Sequence, residues 1–325
     1  MRGPTQAEVN PFPFSDTNKR YHTYEDYLKH AYGSKCAKLT LDAGFTCPNI
    51  DGTRGYGGCI YCSARGSGDF SPSARLSLTE QYAIQREKIR QKWKDAKLIP
   101  YLQAHTNTYA PIERLRQIYR EVLSLPDAVA VHIATRADCL SSEVLSLLGR
   151  VTERLPLTVE LGLQTVWDET ARRIGRGHTY EEFLDGYHRL REALPEVRVS
   201  VHLINGLPGE EKAHMLQTAE TVASLVPHEV KLHLLHALRG TPLGAMYERG
   251  EYTPMTREEY VDVVVEQLRR FPPSTVIGRL TGDGKAEDLL APLWSLKKLC
   301  VINEVDKKMA SGGFFQGDLC KSNKK

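Results

Sequence analysis

Short β-type runs alternate with longer helical patterns from residue 36 to residue 238, and no other feature of the chain restricts its fold as tightly. The runs are CAKLTLD (36 to 42), LIPYLQAH (98 to 105), AVAVHIATR (128 to 136), LTVELGLQT (157 to 165), VRVSVHLING (197 to 206) and VKLHLLHAL (230 to 238). Helix-period stretches lie between them at 77 to 96, 111 to 125, 141 to 155, 180 to 194 and 211 to 226. Alternation of this kind builds βαβ units around a parallel sheet. The runs are nearly continuous in apolar residues, which predicts a sheet covered on both faces. Six units, counting the first run, make either an open doubly wound sheet or an incomplete barrel, and periodicity does not choose between the two. Both place the chemistry at the carboxyl ends of the strands, where the loops are.

TYEDYLKHAYG (23 to 33) reads as a short helix ended by Gly33, and REEYVDVVVEQLRRF (257 to 271) as a further helix. The pattern changes at FPPS, which predicts a leader and helix over 1 to 30, a core domain over 31 to 272, and a helical extension with a tail over 273 to 325. No run approaches eighteen apolar residues and the first twenty positions carry no apolar signal core. A cytoplasmic protein without a membrane partner is expected. The formal charge of +3 is too small to imply nucleic acid by itself. Two basic clusters stand out, QREKIRQKWKDAK (85 to 97) and the closing KSNKK; each reads as a solvated face or frayed tail unless a phosphate backbone claims it.

Three of the seven cysteines, Cys47, Cys59 and Cys62, follow the first strand in the glycine-rich loop TCPNIDGTRGYGGCIYCSARGSG. An odd number of cysteines in a long chain without a secretion signal argues for metal ligands or free thiols over disulfides. The C-x2-C pair makes a tight turn that points two sulfurs at one site, and Cys47 reaches back across the flexible loop. Three neighbouring thiolates repel one another, so a cation is implied. Spacing alone leaves two readings open. One is a structural zinc held with His105 as fourth ligand; the other is an iron–sulfur cluster with one iron left for a non-protein ligand. A thioredoxin-like redox pair fits less well, since these cysteines do not open a helix. Placement favours the cluster, because the loop lies where an α/β barrel builds its active site.

LDAGFTCPNIDGTRGYGGCIYC resembles the cluster loop of the YhcC/YtqA-like (MnmL-like) family of radical S-adenosylmethionine (SAM) proteins, which use C-x11-C-x2-C. The likeness continues in order through AHTNTYAP, ATRADCL, VELGLQTVWDETARRIGRGH, LINGLPGE, RLTGDG and LLAPLWSLKKL. The resemblance implies an α/β fold of partial (β/α)6 TIM-like barrel form with a small C-terminal extension. It implies a [4Fe–4S] cluster on Cys47, Cys59 and Cys62, with SAM chelating the fourth iron. It further implies SAM contacts from Tyr61, beside the last cysteine, and from Gln164 and Arg176, which match the glutamine and arginine of the Elongator-type and coproporphyrinogen-dehydrogenase branches in identity and spacing. Ile204 and Gly206 fall in the fifth-strand motif that approaches adenine. There are departures: Ala134 replaces an acidic residue, His202 replaces a ribose-binding aspartate and is expected to be structural, and AHTNTYA replaces a glycine motif that meets the SAM amino group.

The same resemblance implies reductive cleavage of SAM to a 5′-deoxyadenosyl radical that abstracts hydrogen, fed by an electron donor such as a flavodoxin or ferredoxin. It points to tRNA as partner and to the C5 substituent of wobble uridine as substrate, with carboxymethylaminomethyl converted to aminomethyl. The alternatives are radical chemistry on a small molecule, a porphyrin or peptide, or a zinc-stabilised binding protein. His105, Asn107, Arg136 and Asp138, at predicted strand ends, are the candidates for catalytic contact with the substrate.

Overall fold

The computed structural model describes residues 12–282 and 284–320. Its strands are β1 (Cys36–Leu41), β2 (Lys97–Leu102), β3 (Val131–Thr135), β4 (Leu157–Gln164), β5 (Arg198–Asn205), β6 (Glu229–Leu234), β7 (Ala237–Leu238), β8 (Val276–Arg279) and β9 (Leu289–Ala291). The helices are α1 (Tyr24–Tyr32), α2 (Leu78–Lys92), α3 (Ile112–Leu123), α4 (Ser142–Thr152), α5 (Asp168–Arg173), α6 (Tyr180–Ala193), α7 (Lys212–Ser224), α8 (Pro242–Glu248), α9 (Arg257–Leu268) and α10 (Lys298–Ser311). Helix starts follow local chemistry. Ser77, Thr179 and Thr256 each cap a helix and receive a glutamate three residues on in a reciprocal capping box. Gly33 ends α1 in a left-handed conformation.

Seven strands form one parallel sheet in the order β1-β2-β3-β4-β5-β6-β8, while β7 and β9 make a small antiparallel pair beside it. The order never reverses. Right-handed crossovers that always step the same way put every crossover helix on one face, so the sheet curls into an open half-barrel and cannot be doubly wound. The architecture is therefore the partial barrel, with one strand more than the six units read from the sequence. The seventh, VIGR after FPPS, is four residues long and too short to show a period.

The two faces of the sheet differ. Leu39, Leu98, Ile133, Val159, Val201 and Leu232 are buried beneath the helices. The alternate positions, Lys38, Tyr101, His132, Glu160, His202 and Lys231, meet one another on the concave side. This corrects the expectation of a sheet covered alike on both faces: one face is apolar, and the other carries these polar side chains along a cavity wall.

Gly186 of α6 packs on the single 3₁₀ turn Ala137–Cys139 that follows β3. A Cβ at this position would meet the Ala137 carbonyl oxygen at 2.1 Å. Gly186→Ala should therefore destabilise the protein by about 1–3 kcal/mol through overpacking, read as a lower urea midpoint. An unchanged midpoint would mean that this turn yields freely. Among the described residues no helix is long and apolar enough to cross a membrane. The basic stretch forms much of α2, where Arg86 lies 2.6 Å and Arg90 3.5 Å from Asp127, so part of its charge is already paired. KSNKK lies outside the described residues.

Candidate functional site

The carboxyl ends of the strands open on a cavity of about 1500 Å³ whose lining includes Cys47, Cys59, Cys62, Arg176, Glu160 and Lys231. This exceeds the roughly 300–1,000 Å³ of a typical small-ligand pocket. The cysteine loop forms the rim. It is shaped by backbone bonds from Ile50 N to Cys47 O (2.9 Å), Gly58 N to Asn49 O (2.8 Å) and Cys62 N to Cys59 O (3.0 Å). Ile60 N also bonds Ile174 O at 3.0 Å, which ties the loop to the segment after α5. There Gly175 and Gly177 have φ of 69° and 78°. Side chains at these two positions would press on Gly58 O and on Asn49, so the chain 174 to 177 and the cysteine loop approach as closely as backbone allows.

Polar donors reach the sulfurs. Thr106 Oγ1 donates to Cys47 Sγ at 3.0 Å, and Asn49 Nδ2 donates to Cys59 Sγ at 3.3 Å while also bonding Gly175 O at 2.8 Å. Hydrogen bonding from Cys62, against the cost of burial, draws Cys59 down to about 6, and the same pairing, with burial, pushes Cys62 up. His105 lies 3.9 Å from Cys47 Sγ, and burial lowers its pKa, which favours a neutral imidazole.

Arg176 is 1% exposed. Its Nε donates to His178 O at 2.9 Å and its Nη1 to Leu163 O at 2.5 Å and Thr165 O at 2.6 Å. Its Nη2 stands 3.6 Å from Asp168 and has no hydrogen-bond partner. Both ring nitrogens of buried His178 likewise lack partners, and burial, then the nearby arginines, push that imidazole down to about 3. Gln164, at a sheet bulge with φ of 66°, Tyr61 and Ile204 line the same wall. Gly206 does not reach it: its N–H points at Met215 Sδ and its carbonyl accepts from Tyr252.

The four candidates for substrate contact separate. Arg136 and His105 line the cavity. Arg136 grips the Asp138 carboxylate with Nε at 2.9 Å and Nη2 at 2.7 Å, and donates through Nη1 to Arg176 O at 2.6 Å. Asp138 lies behind it as a positioning residue; burial opposes its ionisation, but Arg136 holds its carboxyl below the usual range. Asn107 is fully buried and absent from the wall. Its side-chain Nδ2 donates to the carbonyls of Leu102, Ala104 and Ala134 at 2.9 to 3.2 Å, its backbone carbonyl accepts from the Tyr119 hydroxyl, and its side-chain Oδ1 is buried without a hydrogen-bond partner. Asn107 therefore staples the ends of β2 and β3, which corrects its reading as a substrate contact.

The floor holds what the sequence reading missed. Glu160 of β4 accepts from Lys38 at 3.0 Å, Tyr101 at 2.6 Å, His132 at 2.7 Å and His202 at 2.9 Å, and from Lys231 as well. Burial disfavours its charge, yet Lys231 and Lys38 hold the carboxyl well below its ordinary value. His202, expected to be structural, is a spoke of this hub. The signal was present as polar residues set between apolar ones, Glu160 in VELGLQ and Lys231 and His233 in VKLHLL.

Comparison with known families places the chain. The radical SAM superfamily model matches residues 51–222, and the radical SAM C-terminal domain model matches residues 227–311. The chain belongs to the radical SAM superfamily. It is 44% identical to YtqA of Bacillus subtilis over 308 residues, which is 95% of either chain. It is 30% identical over 165 residues to the tRNA uridine(34) acetyltransferase of Methanocaldococcus infernus, covering 46% of this chain and 30% of that protein. The solved archaeal Methanocaldococcus infernus Elp3, at 19% identity and a TM-score of 0.66 over 87% of this chain and 64% of that one, shares the fold. A radical SAM enzyme uses a [4Fe–4S] cluster and SAM. The residues present fit both: three thiols with hydrogen-bond donors on two of them, and with them a buried guanidinium N–H and an imidazole that lack hydrogen-bond partners, though Asp168 and Asp138 lie 3.6 and 4.0 Å away.

Proposed function

We propose that this radical SAM enzyme acts on the C5 substituent of wobble uridine in tRNA, converting carboxymethylaminomethyl to aminomethyl. The observation that carries the reading is the sequence likeness to an enzyme named for tRNA uridine 34. A cavity larger than a cofactor alone requires, with a charged floor, supports it. Cys47, Cys59 and Cys62 would hold the cluster, and Arg176, Gln164, Tyr61 and Ile204 would hold SAM. When bound, these groups supply a hydrogen-abstracting 5′-deoxyadenosyl radical, and the balanced sum is SAM, the carboxymethylaminomethyl arm and water giving methionine, 5′-deoxyadenosine, the aminomethyl arm, glyoxylate and a proton.

The chain's own part is orientation and exclusion of water. Arg136, anchored by Asp138 and bonded to the Arg176 carbonyl, links the SAM wall to the substrate space. A flavodoxin- or ferredoxin-type protein would lend the one electron that starts each cycle, the substrate radical would give one back as it becomes an imine that water hydrolyses, and the lysines of α2 would meet phosphates.

The test is anaerobic incubation of reduced, cluster-loaded protein with SAM and unfractionated tRNA, followed by nucleoside mass spectrometry. We expect 5′-deoxyadenosine and glyoxylate in equal amounts, with carboxymethylaminomethyl uridine falling as aminomethyl uridine rises. Release of 5′-deoxyadenosine with no change in any wobble nucleoside would reject the tRNA reading and return the small-molecule alternative.

A further inference from the structure

On the cavity floor two lysines share one carboxylate. Glu160 takes five donors, and an ionised carboxylate offers about four lone-pair sites, so it is saturated and has nothing left for a ligand. Its role is that of an anchor. Lys38 and Lys231, brought to it from β1 and β6 on opposite sides of the hub, each have three N–H donors, of which Glu160 engages one. Both lysines line the cavity, and both stand over the Tyr101 ring, at 5.4 and 5.2 Å, which holds the two ammonium groups close together. Arg279 of β8 and Glu229 of β6 stand nearby with one charge of each sign.

Two like charges kept together in a buried site repel, and a second anion set between them relieves that repulsion. We propose that Lys38 and Lys231 form an anion subsite that takes the carboxylate of the substrate arm, an N-substituted glycine; the assignment rests on the wobble-uridine reading above. The subsite would also set direction. The aminomethyl product has lost its carboxylate and brings an ammonium toward two ammoniums, so the floor that holds the substrate releases the product.

The test uses full-length, cluster-loaded protein with SAM and two nucleosides, 5-carboxymethylaminomethyluridine and 5-aminomethyluridine, with affinities read by titration calorimetry under anaerobic conditions. The wild-type protein should prefer the carboxylated nucleoside by about tenfold to a hundredfold, the value of a hydrogen-bonded charge pair. Lys38→Met and Lys231→Met should each bring that ratio toward one. Lys38 is the safer variant, since its side chain is 18% exposed against 7% for Lys231, and it decides the matter if Lys231→Met does not fold. No preference in the wild type, or a preference that survives in Lys38→Met, overturns the subsite. A preference lost in the variants, in an enzyme that leaves tRNA unchanged, keeps the subsite and rejects the wobble-uridine reading. Turnover of tRNA with the ratio intact in Lys38→Met does the reverse.

Discussion

Cys59→Ala should yield a folded, colourless protein that makes 5′-deoxyadenosine at least about a hundredfold more slowly than the wild type. Loss of a group that merely supports a metal ligand costs tenfold to a hundredfold, so loss of the ligand itself belongs beyond that range. Folding should survive, because the loop is not shaped by its thiols. Its bonds run from Ile60 N to Ile174 O, from Gly58 N to Asn49 O and from Asn49 Nδ2 to Gly175 O, none of which involves sulfur. The same substitution at Cys139 is the control. That thiol is pushed up to about 12, chiefly by burial, and its sulfur only approaches Asp138 at 3.9 Å. Iron analysis after anaerobic reconstitution should give about four irons per chain for the wild type and for Cys139→Ala. A Cys59→Ala protein with full iron and undiminished 5′-deoxyadenosine would remove Cys59 from the cluster and with it the assignment of the rim.

The parallel strands were legible because each crossover carries a helix long enough to show its own period, and the order followed from the ordered motifs. The seventh strand was not, since four residues after a proline pair carry too little pattern. Cys47, Cys59 and Cys62 stand out by spacing, because three thiols in one glycine-rich loop leave a mark in sequence, and all three line the cavity. Asn107 shows the limit of that approach. A polar residue at a strand end has the same appearance whether it faces a ligand or closes a gap between two strands, and only the three carbonyls around its amide tell which. Asn49 and Thr106 escaped for the opposite reason: their sulfur contacts arise across the fold and need no local motif. The floor escaped through an average. Strands that hold His132, Glu160, His202 and Lys231 between apolar neighbours were judged by content, whereas alternation in a parallel strand is itself the sign of a face that no crossover helix covers.

That floor makes a second large effect predictable. Glu160→Ala should cost the protein about 3–5 kcal/mol at neutral pH, because removing one partner of a buried ion pair leaves the other charge uncompensated, and here two lysines lose the same partner. The cost should depend on pH with a definite sign. Burial first, and the neighbouring Lys38 and Arg279 after it, bring Lys231 down to about 8 from 10.5, against the pull of Glu160 and Glu229; His202 and Tyr101 complete its surroundings. The unfolded chain therefore binds more protons than the folded one between 8 and 10.5, so stability gains with rising pH there. Without Glu160 the folded lysine gives up its proton sooner, that window widens downward, and the deficit shrinks as pH rises. On the acid side Glu160 stays ionised in the folded state well below 4.5, so its contribution is whole above 4.5 and fades beneath it, where the deficit shrinks again. Urea unfolding at pH 4, 7 and 9.5 should thus show the largest gap between variant and wild type at pH 7. The double variant Glu160→Leu with Lys231→Met should recover part of the loss, since apolar side chains of similar size replace a buried pair at little cost. A gap under about 1 kcal/mol at pH 7, or one that widens toward pH 9.5, would mean that the lysines find their counter-charge elsewhere and that Glu160 is not the hub of the cavity floor.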